Sequence, residues 1–312
     1  MLAARVAERE SQIVLGLDPD PGALWPDLGV GEADETDLER GREPAARAAR
    51  AVLRHCRAVI DATAPACVAV KLQLARFELM GAAGWQALAE VAAHARGHGL
   101  LVIADGKRGD IDVSAGAYAA GMIEGLDTPF GRITGLSADM TTVNPLMGVD
   151  ALAPFVAAAR ATGAGVLVLV RTSNPGAADL EDLRLQDGGA VWERIAAIVE
   201  ALGADGIGAE GLSDVGAVVG ATEPAHLHRA RELMAHATFL LPGVGAQGGR
   251  VEDLAPAFAP GRAGGLITAS RSIVGAHLTR GGAGASEAPA AAARAEAERL
   301  REAAWALSAV PA

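Results

Sequence analysis

The sequence predicts an α/β protein, a single (β/α)8 barrel over residues 1–312 with extended loops and an Ala-rich C-terminal helix. Three observations predict it. Short apolar runs alternate with stretches of helical period, eight times along the chain. The runs are apolar throughout rather than alternating, as parallel strands covered on both faces are. Aromatic residues make up only 3% of a chain that is 51% hydrophobic, so Ala, Val, Leu and Ile must build the core, which suits layered α/β packing.

In chain order, QIVLGLD (12–18) is the first strand. Val52, Leu53, Cys56, Val59 and Ile60 recur at helical spacing in the stretch that follows. CVAVKLQ (67–73) is the second strand, and Trp85, Leu88 and Val91 mark a helix ending near Gly99. LLVIADG is the third strand, with SAGAYAAGMIEG as a short helix after it. DMTTVNP (139–145) is the fourth, followed by the helix GVDALAPFVAAARATG. GVLVLVRT (165–172) is the fifth, and Trp192, Ile195, Val199 and Leu202 give the next helix. GAVVGAT (216–222), TFLLPGVGAQ (238–247) and GLITASRS (265–272) complete the eight. PAHLHRARELMAHA and VEDLAPAFA are read as the intervening helices. Residues 20–44, 124–138 and 174–190 exceed ordinary loop length and are read as functional loops or surface insertions. The runner-up is a doubly wound open sheet, but no G-x-G-x-x-G follows the first strand.

A formal net charge of -11 argues against a nucleic-acid surface. Cys56 and Cys67 have no metal-ligand spacing and are read as buried small hydrophobes. MLAARVAERESQ is too charged for a signal peptide, and no apolar run is long enough to span a membrane. A reduced, cytoplasmic protein with no membrane partner is expected.

Barrels of this kind carry their chemistry at the C-terminal ends of the strands. Those ends hold Asp18, Lys71, Asp105 with Lys107 and Asp110, Arg171-Thr172-Ser173, a glycine-rich run from Gly243 to Gly249, and Ser270-Arg271-Ser272. The 27 basic residues include only two lysines, Lys71 and Lys107, and both fall on this rim. Arginine cannot release a proton near neutrality, whereas lysine can. The glycines after strand seven and Arg271 after strand eight suggest a phosphate site. His94 and His98, four apart on a helix, could in principle bind a metal. Their place at a helix C-terminus suits the helix dipole instead, and no metal is expected.

Asp105-x-Lys107-x-x-Asp110-Ile111 resembles the signature of the orotidine 5'-phosphate decarboxylase family. GLDPDP, VKLQLARFE, ADGKRGDI, TVNPLMG, VRTSNPG, LLPGVGAQGG and SRSI occur in that family's order, and the chain is most similar to its longer bacterial branch. The resemblance implies a TIM barrel and a homodimer that decarboxylates orotidine 5'-monophosphate to uridine 5'-monophosphate without cofactor or metal. By the same resemblance Lys71, Asp105, Lys107 and Asp110 are the charged catalytic tetrad, and Asp110 and Ile111 reach into the partner's site. Asp18 and Lys71 contact the ribose, Ser173 the pyrimidine, and Gln247 and Arg271 the phosphate. Ile111, Ser114, Val244 and Ser270 belong to the expected substrate-binding set. Asp112 and Ser114 stand where the family usually has Gly or Pro and then Thr, and AVKLQ replaces Phe-Lys-Pro-Gln.

The chemistry gives these residue types a reason. Loss of CO2 leaves a carbanion at C6, in the ring plane, where the π system does not delocalise it. An ammonium aimed at that carbon stabilises the charge and delivers the proton. Lys107 is assigned both tasks. Flanking carboxylates favour its charged form, each by about 4 kcal/mol at 4 Å and an effective dielectric near 20. The loops after strands five and seven are lid candidates. Two rivals remain at this level: a magnesium-dependent sugar-phosphate decarboxylase or aldolase, whose relatives have an acidic ligand in place of Lys71, and a non-catalytic nucleotide-binding barrel.

Overall fold

A computed structural model describes residues 1–26, 43–186, 188–245, 247–280 and 288–309. Eight parallel strands close into a barrel: β1 (Ile13–Leu17), β2 (Ala69–Gln73), β3 (Leu101–Arg108), β4 (Met140–Val143), β5 (Gly165–Arg171), β6 (Val215–Val219), β7 (Phe239–Leu241) and β8 (Gly265–Ala269). Each pairs with its neighbours in sequence, and β1 closes on β8. An open sheet is therefore excluded.

The helices are α1 (Leu2–Arg9), α2 (Pro44–Thr63), α3 (Leu74–Glu78), α4 (Gly81–Gly97), α5 (Asp112–Ala119), α6 (Val149–Thr162), α7 (Val191–Gly203), α8 (Pro224–Leu233), α9 (Arg271–Val274), α10 (Ala276–Arg280) and α11 (Pro289–Leu307). Four details depart from the sequence reading. Helix α1, read only as charged sequence, plugs the N-terminal end of the barrel with Val6, which is fully buried against the barrel interior. Pro242 and Gly243, the latter at φ 104°, stop β7 after three residues, far short of 247. Val251–Phe258 winds as a 3-10 helix, with Pro256 inside it removing a backbone donor. The 124–138 stretch contains an antiparallel hairpin, Leu126–Thr128 with Gly131–Ile133. Most of the expected 20–44 loop, residues 27–42, lies outside the described residues.

Side chains alternate across a strand, so every second residue faces the barrel axis. From the N-terminal end upward, the inward series are Ala69, Lys71, Gln73 on β2 and Leu101, Ile103, Asp105, Lys107 on β3. The register aligns Lys71 with Ile103 and Gln73 with Asp105. The lower layers are apolar: Val14, Ala69, Leu101, Ile103, Met140, Leu167, Leu240 and Leu266 form one buried cluster. The outward residues of the same strands form a second cluster against the helices. The axis thus changes from hydrocarbon to ionic in about two residues of strand, roughly 7 Å.

Candidate active site

The ionic layer begins with Asp105, only 4% exposed. Its Oδ2 accepts a hydrogen bond from Lys71 Nζ at 2.6 Å and its Oδ1 one from Lys107 Nζ at 2.7 Å. Lys71 Nζ also lies 3.5 Å from Asp18 Oδ1. Carboxylate and ammonium alternate along Asp18, Lys71, Asp105 and Lys107. Burial alone would raise the pKa of Asp105, but the two lysines outweigh it and hold the group down at about 2. Burial likewise opposes the charge on Lys71, and Asp105 and Asp18 override it, so its pKa rises.

Lys107 differs from Lys71 in reach. Its side chain is 43% exposed, against 8% for Lys71, and its ammonium faces the cavity. Its backbone sits at φ 49°, a left-handed conformation that costs a non-glycine residue about 1 kcal/mol. The β3–β4 pairing shifts register between Ala104 and Arg108, so the chain bulges where Lys107 leaves the sheet. Thr142 pins the bulge: its Oγ1 accepts from Lys107 N at 2.9 Å and donates to Asp105 Oδ1 at 2.9 Å.

Above this layer a cavity of about 500 Å3 opens at the C-terminal ends of the strands. Asp18, Lys71, Asp105, Lys107, Ser173, Val244, Gln247, Ser270 and Arg271 all line it. Close packing shapes its wall. A Cβ on Gly16 would stand 2.7 Å from Ser270 Cβ, and one on Gly220 would stand 2.9 Å from Ser173 Cα, so both positions need glycine. In the Gly243–Gly249 loop the N–H groups of Gly245, Gly248 and Gly249 are donated within the loop. Gln247 of that loop and Arg271, just after β8, present polar side chains to the cavity.

Asp110, Ile111 and Ser114 are placed differently. They follow β3 into α5 and do not line the cavity of their own chain. Asp110 Oδ1 accepts from Ile111 N at 2.8 Å, and Ile111 and Ser114 are exposed. Asp112, the departure beside them, takes φ 48°, a left-handed conformation that strains a non-glycine residue.

Sequence reasoning missed Gln73, Thr142, Thr268 and Glu181. Gln73 Nε2 donates to Asp105 Oδ2 at 3.2 Å, and the inward period from Lys71 would have found it. Glu181 takes the Thr172 backbone N–H and hydroxyl, both at 2.9 Å. Arg171, at the end of β5, turns away from the cavity and grips Asp182 through two bonds of 2.9 Å. The segment after β5 is therefore clamped to its own strand at 181–182, which confines any lid motion there to the residues between.

A family model described as "Orotidine 5'-phosphate decarboxylase / HUMPS family" matches residues 11–284. The curated orotidine 5'-phosphate decarboxylase of Deinococcus radiodurans is 46% identical over 270 residues, covering 86% of each chain. That of Rhodopirellula baltica is 43% identical over 279 residues, covering 88% of this chain and 87% of its own. Among solved structures, the OMP decarboxylase of Leishmania donovani aligns with a TM-score of 0.70 and 30% identity, covering 99% of both chains.

Proposed function

The chain belongs to the orotidine 5'-phosphate decarboxylase / HUMPS family, and from that premise we infer that it converts orotidine 5'-monophosphate to uridine 5'-monophosphate and CO2 in pyrimidine nucleotide synthesis. The observation that carries the mechanism is the Lys71–Asp105–Lys107 array at the cavity floor. The C6–carboxylate bond breaks, CO2 leaves, and the electron pair stays on C6. The Lys107 ammonium stabilises that pair and transfers a proton to it, and the resulting amine is reprotonated from solvent. Asp105 holds the Lys107 ammonium aimed, and Lys71 keeps Asp105 ionised. Asp18 and Lys71 bind the ribose, Ser173 the base, and Gln247 with Arg271 the phosphate. Binding energy gathered at the phosphate, remote from C6, positions the ring for the step.

The protein acts as a homodimer in the cytoplasm, with Asp110 and Ile111 completing the partner's site. Ile111 and Val113 are 53% and 80% exposed, and Leu146 and Met147, at the end of β4 next to them, are 78% and 43% exposed. So much apolar surface beside an active rim suits an isologous contact. No helix among the described residues is long and apolar enough to cross a membrane.

The loss of ultraviolet absorbance of orotidine 5'-monophosphate tests the reading. Wild type turns over in EDTA, and Lys107→Ala does not; an inactive wild type, or one silenced by EDTA, refutes it. Mixing inactive Lys107→Ala with inactive Asp110→Ala tests the shared site. Random mixed dimers restore about one quarter of wild-type sites, and no recovery means that Asp110 serves its own chain.

A further inference from the structure

On the outer wall of the barrel, α2 and α4 lie side by side, and their last turns bring Asp61, His94 and His98 together. Asp61 Oδ1 stands 2.7 Å from His94 Nε2 and 3.0 Å from His98 Nε2. The three ligand atoms all lie within 4.8 Å of one another, and the two imidazole rings are 4.9 Å apart. We propose that this cluster is a binding site for a divalent transition metal such as zinc, separate from the decarboxylation site.

Four observations support it. The histidines are i and i+4 on one helix face, so both present Nε2 to the same point. The third donor comes from a different helix, so the site is a bridge rather than a local turn. With metal–ligand bonds of about 2.0–2.1 Å, neighbouring donors stand roughly 2.9–3.4 Å apart. Both contacts to Asp61 are close to that range, and a small rotamer change admits an ion between them. The set of two imidazoles and one carboxylate is chemically suited to zinc, cobalt or nickel, with water filling the open positions.

The surroundings favour a cation as well. The C-terminal ends of two helices converge here, and their carbonyl dipoles are negative at that end. One turn earlier, the same two faces are joined by Arg57 and Glu90 at 3.1 Å, an ion pair complete in itself. In the last turn the carboxylate faces two imidazoles, each with an Nε2 able to ligate a metal. A bound dication completes that turn. The Arg9 guanidinium donates to the His98 carbonyl, which fixes the end of α4. The bound metal would staple α2 to α4 beside β2 and β3.

The test is calorimetric titration of the metal-stripped full chain with ZnCl2, alongside thermal unfolding. One saturable equivalent is expected, with a Tm rise of about 5 °C at a hundredfold excess over Kd. Asp61→Asn and the double variant His94→Ala/His98→Ala should lose both. Cobalt(II) should give visible absorption bands in the wild type and in neither variant, and circular dichroism verifies that the variants are folded. His98→Gln alone, the mildest change, should weaken binding at least tenfold. Equal binding in folded variants, or no saturable binding up to millimolar ZnCl2, overturns the proposal. These readouts do not depend on turnover, so they stand or fall apart from the decarboxylase reading.

Discussion

Two cavities of nearly equal volume, about 500 and 510 Å3, open at opposite ends of the barrel. Their linings differ in one respect that matters. At the C-terminal end, Asp105 and Lys107 pair across side chains that a substrate can reach. At the N-terminal end the two aspartates of the lining are already committed to the framework. Asp139 accepts the Val102 backbone N–H at 2.8 Å, and Asp214 is held by Arg160 at 2.8 Å. Arg231, buried on the same rim, donates to the carbonyls of Met234, Ala237, Ala257 and Gly264 at 2.8–3.0 Å and covers the Phe239 ring. Burial lowers its pKa to about 9, and the charge of Glu200 only partly opposes that shift. Cavity size therefore does not locate the chemistry. What locates it is charge balanced by partners that can be exchanged.

The comparison is broken most directly at its two cations. Lys107→Ala should lower kcat by at least about 10^4-fold, losing both the ammonium and the proton it delivers, while Tm changes little. Arg231→Met should do the reverse. Denaturant unfolding should show a loss of about 3–5 kcal/mol, because several buried carbonyls lose their donor, with kcat within a few-fold of wild type in the folded fraction.

A third way of burying a titratable group sharpens the contrast: leaving it neutral. His55 Nδ1 accepts the Trp25 backbone N–H at 3.2 Å, and burial, aided by His277, lowers its pKa to about 4. The unfolded chain takes up this proton near pH 6.5 and the folded chain only near 4. Stability from His55 is thus complete above pH 6.5 and lost as pH falls to about 4, by roughly 3 kcal/mol. A His55→Phe variant should flatten that part of the curve. Asp105 acts lower on the scale. Its pKa is depressed from 3.8 to about 2, so its contribution is present above pH 4 and lost as pH falls through 2. The loss is about 2 kcal/mol, and Asp105→Asn should remove the slope in that window.

The barrel was readable from its eight apolar runs because strands covered on both faces have no polar alternation to hide. The rim was readable because lysine is so rare in this chain. Plugging by α1 was not readable, since an eight-residue amphipathic helix gains its stability only from the barrel it closes. Gln73, two residues beyond Lys71, needed only the strand period; Thr142 escaped because an uncharged residue at a strand end looks the same whether it faces the axis or the helices. Only the register decides, and register is a property of the pairing. The clamp of Arg171 on Asp182 was hidden for a similar reason: a charged residue at a strand end was read as facing the cavity, and the β5–β6 register shift between Leu169 and Arg171 turns it outward.

The lysine distribution has a practical consequence for labelling. Of the two side-chain amines in the protein, Lys71 is sealed beneath Asp105 and Lys107 is open to solvent. An amine-reactive reagent thus meets one accessible lysine, at the centre of the cavity. Acylation of that residue becomes a direct gauge of occupancy, because a bound nucleotide shields it while the 25 arginines stay silent.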